Sequence, residues 1–260
     1  MTVRIADLGF AYGRREVLRK INAAAAPGRI TAILGPNAAG KSTLLRCVIG
    51  ALRPARGEVL IDGAAAHTLS TRDLARRIAY VPQRAMVGAA FSVREVVELG
   101  RYALPASRQR VDEALDRLDL AAVADRPYPA LSVGQQQRVT LARALAQLAP
   151  DGHLVLDEPT SAMDLRHRRE CLKLLRALAA GGATVLIAVH DLPWAALVAD
   201  DAWLLDSGSL VTCGEVRKVL DPQRLESVFG VKFEWVRGRG GQSWLLADPP
   251  PSNDAPTMDR

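Results

Sequence analysis

Residues 29–48 read RITAILGPNAAGKSTLLRCV, and the fold is decided by how they are parsed. RITAILG, residues 29–35, is an apolar run of strand length ending in a glycine turn, and KSTLLRCVIG, residues 41–50, begins a helical pattern. Between them Gly35 to Ser42, GPNAAGKS, matches GxxxxGK[ST] at a strand-to-helix junction. In such a loop backbone N–H groups wrap polyphosphate while the following helix presents its positive N-terminal end. Lys41 is then placed to reach the β and γ phosphates, and the Ser42 hydroxyl to coordinate Mg²⁺. Gly35 and Gly40 allow torsions or close approaches that a side chain would obstruct. A chance match in a chain of this length is on the order of one in a hundred, so an ordinary glycine turn is the poorer reading.

Such a loop needs carboxylates nearby, and HLVLDEPT, residues 153–160, supplies an apolar strand ending in Asp157 and Glu158. Successive residues at a strand end point differently, so one carboxylate can hold the Mg²⁺ water shell while the other faces the attacking water. Asp157 is assigned to the metal and Glu158 to the base. ATVLIAV, residues 183–189, is a further buried-type strand. Residues 2–6 and Glu58–Ile61 read as short alternating strands. From Ser92 to about Ala149 the pattern is mostly helical, with Ser92 as an N-cap and Glu95 three residues on. Alternating strand and helix interrupted by a helical stretch predicts an α/β fold: a parallel-sheet core with a helical subdomain inserted.

Composition agrees. The chain has 260 residues, 49% hydrophobic and 24% charged, enough to bury one large core or two small ones. No apolar run approaches the length a spanning helix needs, and the N-terminal residues lack a basic segment followed by an apolar one, so the expectation is a cytosolic chain. Cys47, Cys171 and Cys213 show no metal-ligand spacing, which suits reduced, mostly buried structural thiols. The net charge of +6 invites anionic partners. However, the basic groups Arg14–Arg15, Arg76–Arg77 and Arg166–Arg169 lack interleaved aromatics and read as solvated helix faces.

LSVGQQQRVTLARAL, residues 131–145, adds Ser132 and Gly134 at the start of a helix beginning near Gln135, a second anion-facing N-terminus. Here the sequence resembles the ATP-binding cassette family, whose signature is close to LSGGQ. The resemblance covers residues 2–235, because further family motifs occur in order. YVPQ at Tyr80–Gln83 looks like the Q-loop, SAMD at Ser161–Asp164 like the D-loop, VHD at Val189–Asp191 like the switch histidine region, and Tyr12 like the adenine-stacking aromatic. The resemblance implies a P-loop NTPase core with an N-terminal antiparallel β subdomain over residues 2–237 and a helical subdomain at about 86–148. A C-terminal extension follows at 238–260, of which the Pro-rich 248–260 is expected to be disordered.

The resemblance also implies a site. ATP would contact Tyr12 and the loop Gly35, Pro36, Asn37, Ala38, Ala39, Gly40, Lys41, Ser42 and Thr43. Mg²⁺ would be held by Ser42, Gln83 and, through water, Asp157. Glu158, His190 and Gln83 would be catalytic, with Asp164 in the D-loop. A second copy, arranged head to tail, would contribute Leu131, Ser132, Val133, Gly134 and Gln135 in trans. Two positions depart from the family: Ala38 and Val133 stand where glycine is usual, and hydrolysis is expected to survive both.

A cassette of this kind needs separate membrane partners, and the resemblance implies two permease subunits, a periplasmic or extracellular substrate-binding protein, and a peripheral position on the cytoplasmic face of the inner membrane. AFSVREVVELGRY, residues 90–102, and LDPQRLESVFGVKFEW, residues 220–235, are closest to importers of iron chelates, haem and cobalamin, with haem favoured. A ferric-siderophore or cobalamin importer, an exporter cassette, and a soluble cassette acting on nucleic acid or the ribosome are the alternatives. No nucleic acid partner is expected, since the sequence shows neither a second cassette nor a long insertion between Lys41 and Ser132.

Overall fold

A computed structural model describes residues 2–83, 87, 91–238, 241 and 243–248. The chain opens with an antiparallel pair, β1 (Val3–Tyr12) and β2 (Arg15–Ala25), followed by β3 (Ile30–Leu34), α1 (Lys41–Val48), β4 (Arg56–Ile61) and β5 (Ala64–Ala65). Next come α2 (Thr71–Arg77), β6 (Ile78–Val81), and three helices, α3 (Val93–Glu98), α4 (Arg108–Asp116) and α5 (Val133–Gln147). Strand and helix then alternate through β7 (His153–Asp157), α6 (Leu165–Ala180), β8 (Thr184–Ala188), α7 (Leu192–Val198) and β9 (Asp201–Asp206). The C-terminal elements are β10 (Ser209–Glu215), α8 (Val216–Val219), α9 (Pro222–Phe229), β11 (Phe233–Arg237) and β12 (Ser243–Ala247).

The central sheet has the order β10-β9-β3-β8-β7-β6. Its strands β9, β3, β8, β7 and β6 run parallel, and β10 is antiparallel at one edge. Side chains alternate between its two faces because the strand period is two. Ile30, Ala32 and Leu34 join Leu154, Leu156, Val185 and Ile187 in a core shared with α3, α5, α6 and α7. Ile33, Val155, Leu186 and Ala188 point the other way, into a core closed by α1 and the sheet β2-β1-β4-β5. Both faces being covered explains why these strands read as unbroken apolar runs.

The expected α/β architecture is present, with four local differences. The first strand continues from the expected residues 2–6 to Tyr12, because pairing with β2 carries through register shifts at Ile5/Leu8, Leu8/Phe10 and Phe10/Ala11. Helix α5 starts at Val133, not near Gln135, since the Ser132 hydroxyl accepts from Gln135 N–H while the Gln135 side chain accepts from Ser132 N–H. Arg14 and Arg15 lie in a turn and at the start of β2, not on a helix. Cys47 and Cys171 are buried, their thiols pushed up to about 12 by desolvation, while Cys213 is exposed on β10. The boundary expected at residue 237 falls between β11 and β12, which pair antiparallel. The tail at 249–260 lies outside the described residues.

His153, at the start of β7, is fully buried, with Nε2 3.1 Å from Asp62 Oδ1. Desolvation holds its pKa below the ordinary histidine value, with the Asp62 charge and hydrogen bond opposing. The folded chain therefore binds fewer protons at this site than the unfolded chain. Stability is fully present above about pH 6.5 and is lost as the pH falls from there toward the folded value. His153→Gln removes the titration. The fall in melting temperature between pH 7.5 and 5.5 is expected to be smaller in this variant than in the parent, as read by scanning calorimetry.

Candidate active site

Parallel strands deliver their C-terminal ends to one edge, and the site is built from four of these ends, those of β3, β6, β7 and β8. After β3 the chain turns through Gly35, whose φ is +145°. A Cβ there would stand 2.2 Å from the Leu205 carbonyl oxygen, so glycine is required for the loop to pass β9. The loop then enters α1 through Gly40, leaving Lys41 only 5% exposed. Lys41 Nζ donates to the carbonyls of Gly35 (2.7 Å) and Pro36 (2.9 Å) and lies 3.4 Å from His190 Nδ1. Burial lowers its pKa, and the charges of Glu158 and Asp157 oppose that shift.

Asp157 ends β7 and is 3% exposed, accepting a 3.2 Å hydrogen bond from the Ser42 hydroxyl. Desolvation raises its pKa, while the Ser42 hydrogen bond works in the opposite sense. Glu158 follows in the left-handed region, at φ +50°. Its carboxylate meets Gln83 Nε2 (2.7 Å) and His190 Nε2. His190 thus bridges Lys41 and Glu158. An ammonium has only donors to offer, so Nδ1 is the acceptor and Nε2 carries the proton toward the carboxylate.

These groups line a cleft of about 490 Å³ whose walls are Tyr12, Arg15, Val17, Asn37, Ala38, Ala39, Gly40, Lys41, Ser42, Thr43, Gln83, Glu158 and His190. The volume lies in the range of small-molecule sites. Asp157 and Pro36 reach it through Ser42 and Lys41. Tyr12 is half exposed at the end of β1, edge-on to Phe10 with ring centroids 4.8 Å apart. Leu131, Ser132, Val133, Gly134, Gln135 and Asp164 are not among the lining residues. Ser132 caps α5, and Asp164 caps α6 while pairing with His167. Val133 is 70% exposed.

Val17, and Arg15 beyond its place in a basic group, were not singled out from the sequence as site residues. The signal was present in the turn at Gly13–Arg14, since a hairpin there sets Arg15 opposite Tyr12. Ser42 and Asp157 offer hard oxygen donors side by side, a set suited to Mg²⁺. Elsewhere Asp119, His167 and Glu170 have ligand atoms within 4.8 Å of one another, but Arg166 already pairs both carboxylates, and the group reads as an ion-pair network.

A phosphate-type glycine loop between β3 and α1, set beside strand-end carboxylates in a parallel sheet, gives this chain the P-loop NTPase fold. The chain matches the family described as ABC transporter over residues 18–161, more than half its length, and belongs to that family. It is similar to the hemin import ATP-binding protein HmuV of Pseudomonas entomophila (strain L48), with 45% identity covering 87% of this chain and 92% of that protein. The protein of the same name from Bordetella pertussis (strain Tohama I / ATCC BAA-589 / NCTC 13251) is 41% identical, covering 90% and 94%. Among solved structures the chain is similar to a transporter described as metal-chelate type, in an inward-facing conformation. The TM-score is 0.79 at 30% identity, covering 96% of this chain and 97% of that one. It is also similar to a dimeric bacterial ABC transporter cassette, with TM-score 0.74 at 27% identity, covering 83% and 99%.

Ala38 sits at φ +63°, where a Cβ costs about 1–2 kcal/mol. Glycine at this position releases that strain but adds entropy to the unfolded chain. Ala38→Gly is expected to raise the melting temperature by about 1–3 °C and to leave ATP turnover at least as fast. A lower melting temperature would show that the loop is not strained at this residue.

Proposed function

We propose that this chain is the ATP-hydrolysing subunit of an importer that takes up haem or a related iron chelate. The observation that carries the hydrolytic part is the convergence of Lys41, Ser42, Asp157, Glu158, Gln83 and His190 on one cleft. The import part is supported by the curated relatives named as hemin import ATP-binding proteins, at 38–45% identity over most of their length.

In this reading the loop N–H groups and the N-terminus of α1 hold the phosphates, and Lys41 exchanges its carbonyl partners for β and γ phosphate oxygens. Tyr12 stacks on the base, and Arg15 flanks it. Ser42, Gln83 and, through water, Asp157 would hold Mg²⁺. Mg²⁺ supplies charge neutralisation on the phosphates when bound. The Glu158 carboxylate takes a proton from the attacking water as the water oxygen bonds to the γ phosphorus. The bond to the β-phosphate oxygen breaks, and ADP carries away the electron pair. His190 and Gln83 aim the carboxylate, and His190 contacts the γ phosphate.

Ser132, Val133 and Gly134 lie outside the cleft of their own chain, which supports a head-to-tail pair in which each signature helix closes the other's site. Among the described residues no helix is long and apolar enough to cross a membrane. Two permease subunits would supply the pathway, with a substrate-binding protein delivering cargo and the cassette held peripherally at the cytoplasmic face.

Glu158→Gln keeps the size of the side chain and removes the base. The full-length protein is expected to bind Mg-ATP, accumulate as an ATP-bound dimer, and lose at least about 100-fold of its phosphate release; undiminished release overturns the assignment of Glu158. The cargo is tested in a deletion strain with labelled haem, ferric siderophore and cobalamin. Loss of haem uptake alone supports haem, loss of another cargo reassigns the substrate, and loss of none removes the import reading.

A further inference from the structure

Gln137 lies on the first turns of α5, only 8% exposed, and both ends of its carboxamide are engaged. Nε2 donates to the Glu158 carbonyl at 3.0 Å, and Oε1 accepts from Ala162 N–H at 3.1 Å. One side chain therefore spans the turn between the strand-end glutamate and the D-loop. The contact is reinforced one helical turn earlier, where a Cβ on Gly134 would stand 2.9 Å from the Ala162 carbonyl oxygen. Positions i and i+3 share a helix face, so the signature helix rests on residues 158–162 through Gly134 and Gln137 together.

The turn that Gln137 grips is strained. Glu158 holds φ +50°, a conformation L-residues occupy at a cost and only where the surroundings impose it. Its N–H donates to the Ala188 carbonyl, and its carbonyl accepts from Ser161 N–H and the Ser161 hydroxyl as well as from Gln137. Of these carbonyl partners Ser161 is exposed and belongs to the turn itself. Gln137 is the one that comes from another element. Gln83 and His190 hold the carboxylate end of Glu158, and Gln137 holds its backbone.

We propose that Gln137 is a positioning residue for hydrolysis, fixing the backbone turn that aims the Glu158 carboxylate and tying that aim to the signature helix of the same chain. This rests on the reading of Glu158 as the base. A nucleotide docked on Ser132 and Gly134 in the partner's site would then bear, through three residues of helix, on the base in this chain's own site. Misplacing a reacting group by about 1 Å can cost about 100-fold in rate, so a smaller shift of the Glu158 turn sets an effect of about tenfold.

The test uses the full-length protein with steady-state ATPase kinetics. Gln137→Met keeps the length and removes both hydrogen bonds; Gln137→Glu keeps the acceptor for Ala162 and removes the donor to the Glu158 carbonyl. Both are expected to lower kcat about tenfold or more, with KM for ATP and equilibrium ATP affinity moved less than about threefold. On a Glu158→Gln background Gln137→Met is expected to lower the residual rate less than twofold, because it acts through the carboxylate already removed. An unchanged kcat in Gln137→Met, or a full tenfold further loss on the Glu158→Gln background, overturns the proposal. Equal loss of kcat and ATP affinity overturns it in favour of a purely structural role. Failure of the base assignment is seen separately, as undiminished turnover in Glu158→Gln alone.

Discussion

The site depends on an ammonium held almost out of water. Lys41 is 5% exposed; two loop carbonyls accept from it, and the charges of two carboxylates oppose the lowering of its pKa by burial. A buried charge without such partners is costly. The loop geometry answers that need, since Gly35 and Gly40 bring the Gly35 and Pro36 carbonyls round to Nζ. The tautomer of His190 follows from it too, and with it the donor that faces Glu158. A network that holds a cation in this way can also receive a polyphosphate, whose oxygens replace the carbonyls as Lys41 partners.

The second dependence is register. β3, β8 and β7 run parallel with Leu156 opposite Ile187 and Ile33 opposite Ala188. The residues following each strand therefore emerge level with one another at one edge. Glu158 and His190 are far apart in sequence and line one cleft for this reason, with the Gly35 carbonyl against Lys41 behind it. Helix α5 packs against β6 with α3 and α4 packed on it, and it brings its N-terminal turn against residues 158–162.

Much of this was legible in the residues. The unbroken apolar runs 29–35, 153–157 and 183–189 marked strands buried on both faces, and GPNAAGKS marked the loop between one of them and a helix. Neighbouring strand-end residues were expected to point apart, and Asp157 meets Ser42 while Glu158 meets Gln83 and His190. What escaped were contacts that depend on packing. Nothing local in QQQR distinguishes Gln137 from Gln135 and Gln136; only the docking of α5 on the D-loop buries the third and leaves the others partly exposed. The start of α5 at Val133 depended on a reciprocal cap between Ser132 and Gln135, and the length of β1 on bulges that keep it paired with β2.

In the proposed function a nucleotide polyphosphate sits on Lys41. Isothermal titration of Mg-ATP into the full-length protein and into Lys41→Met, each first shown to be folded by thermal melting, tests that placement most directly. A binding isotherm in the parent and at least a tenfold weaker one in the folded variant is the predicted result. Equal affinity in both proteins would contradict it, because the phosphates would then be held without the one cation the loop is built to carry.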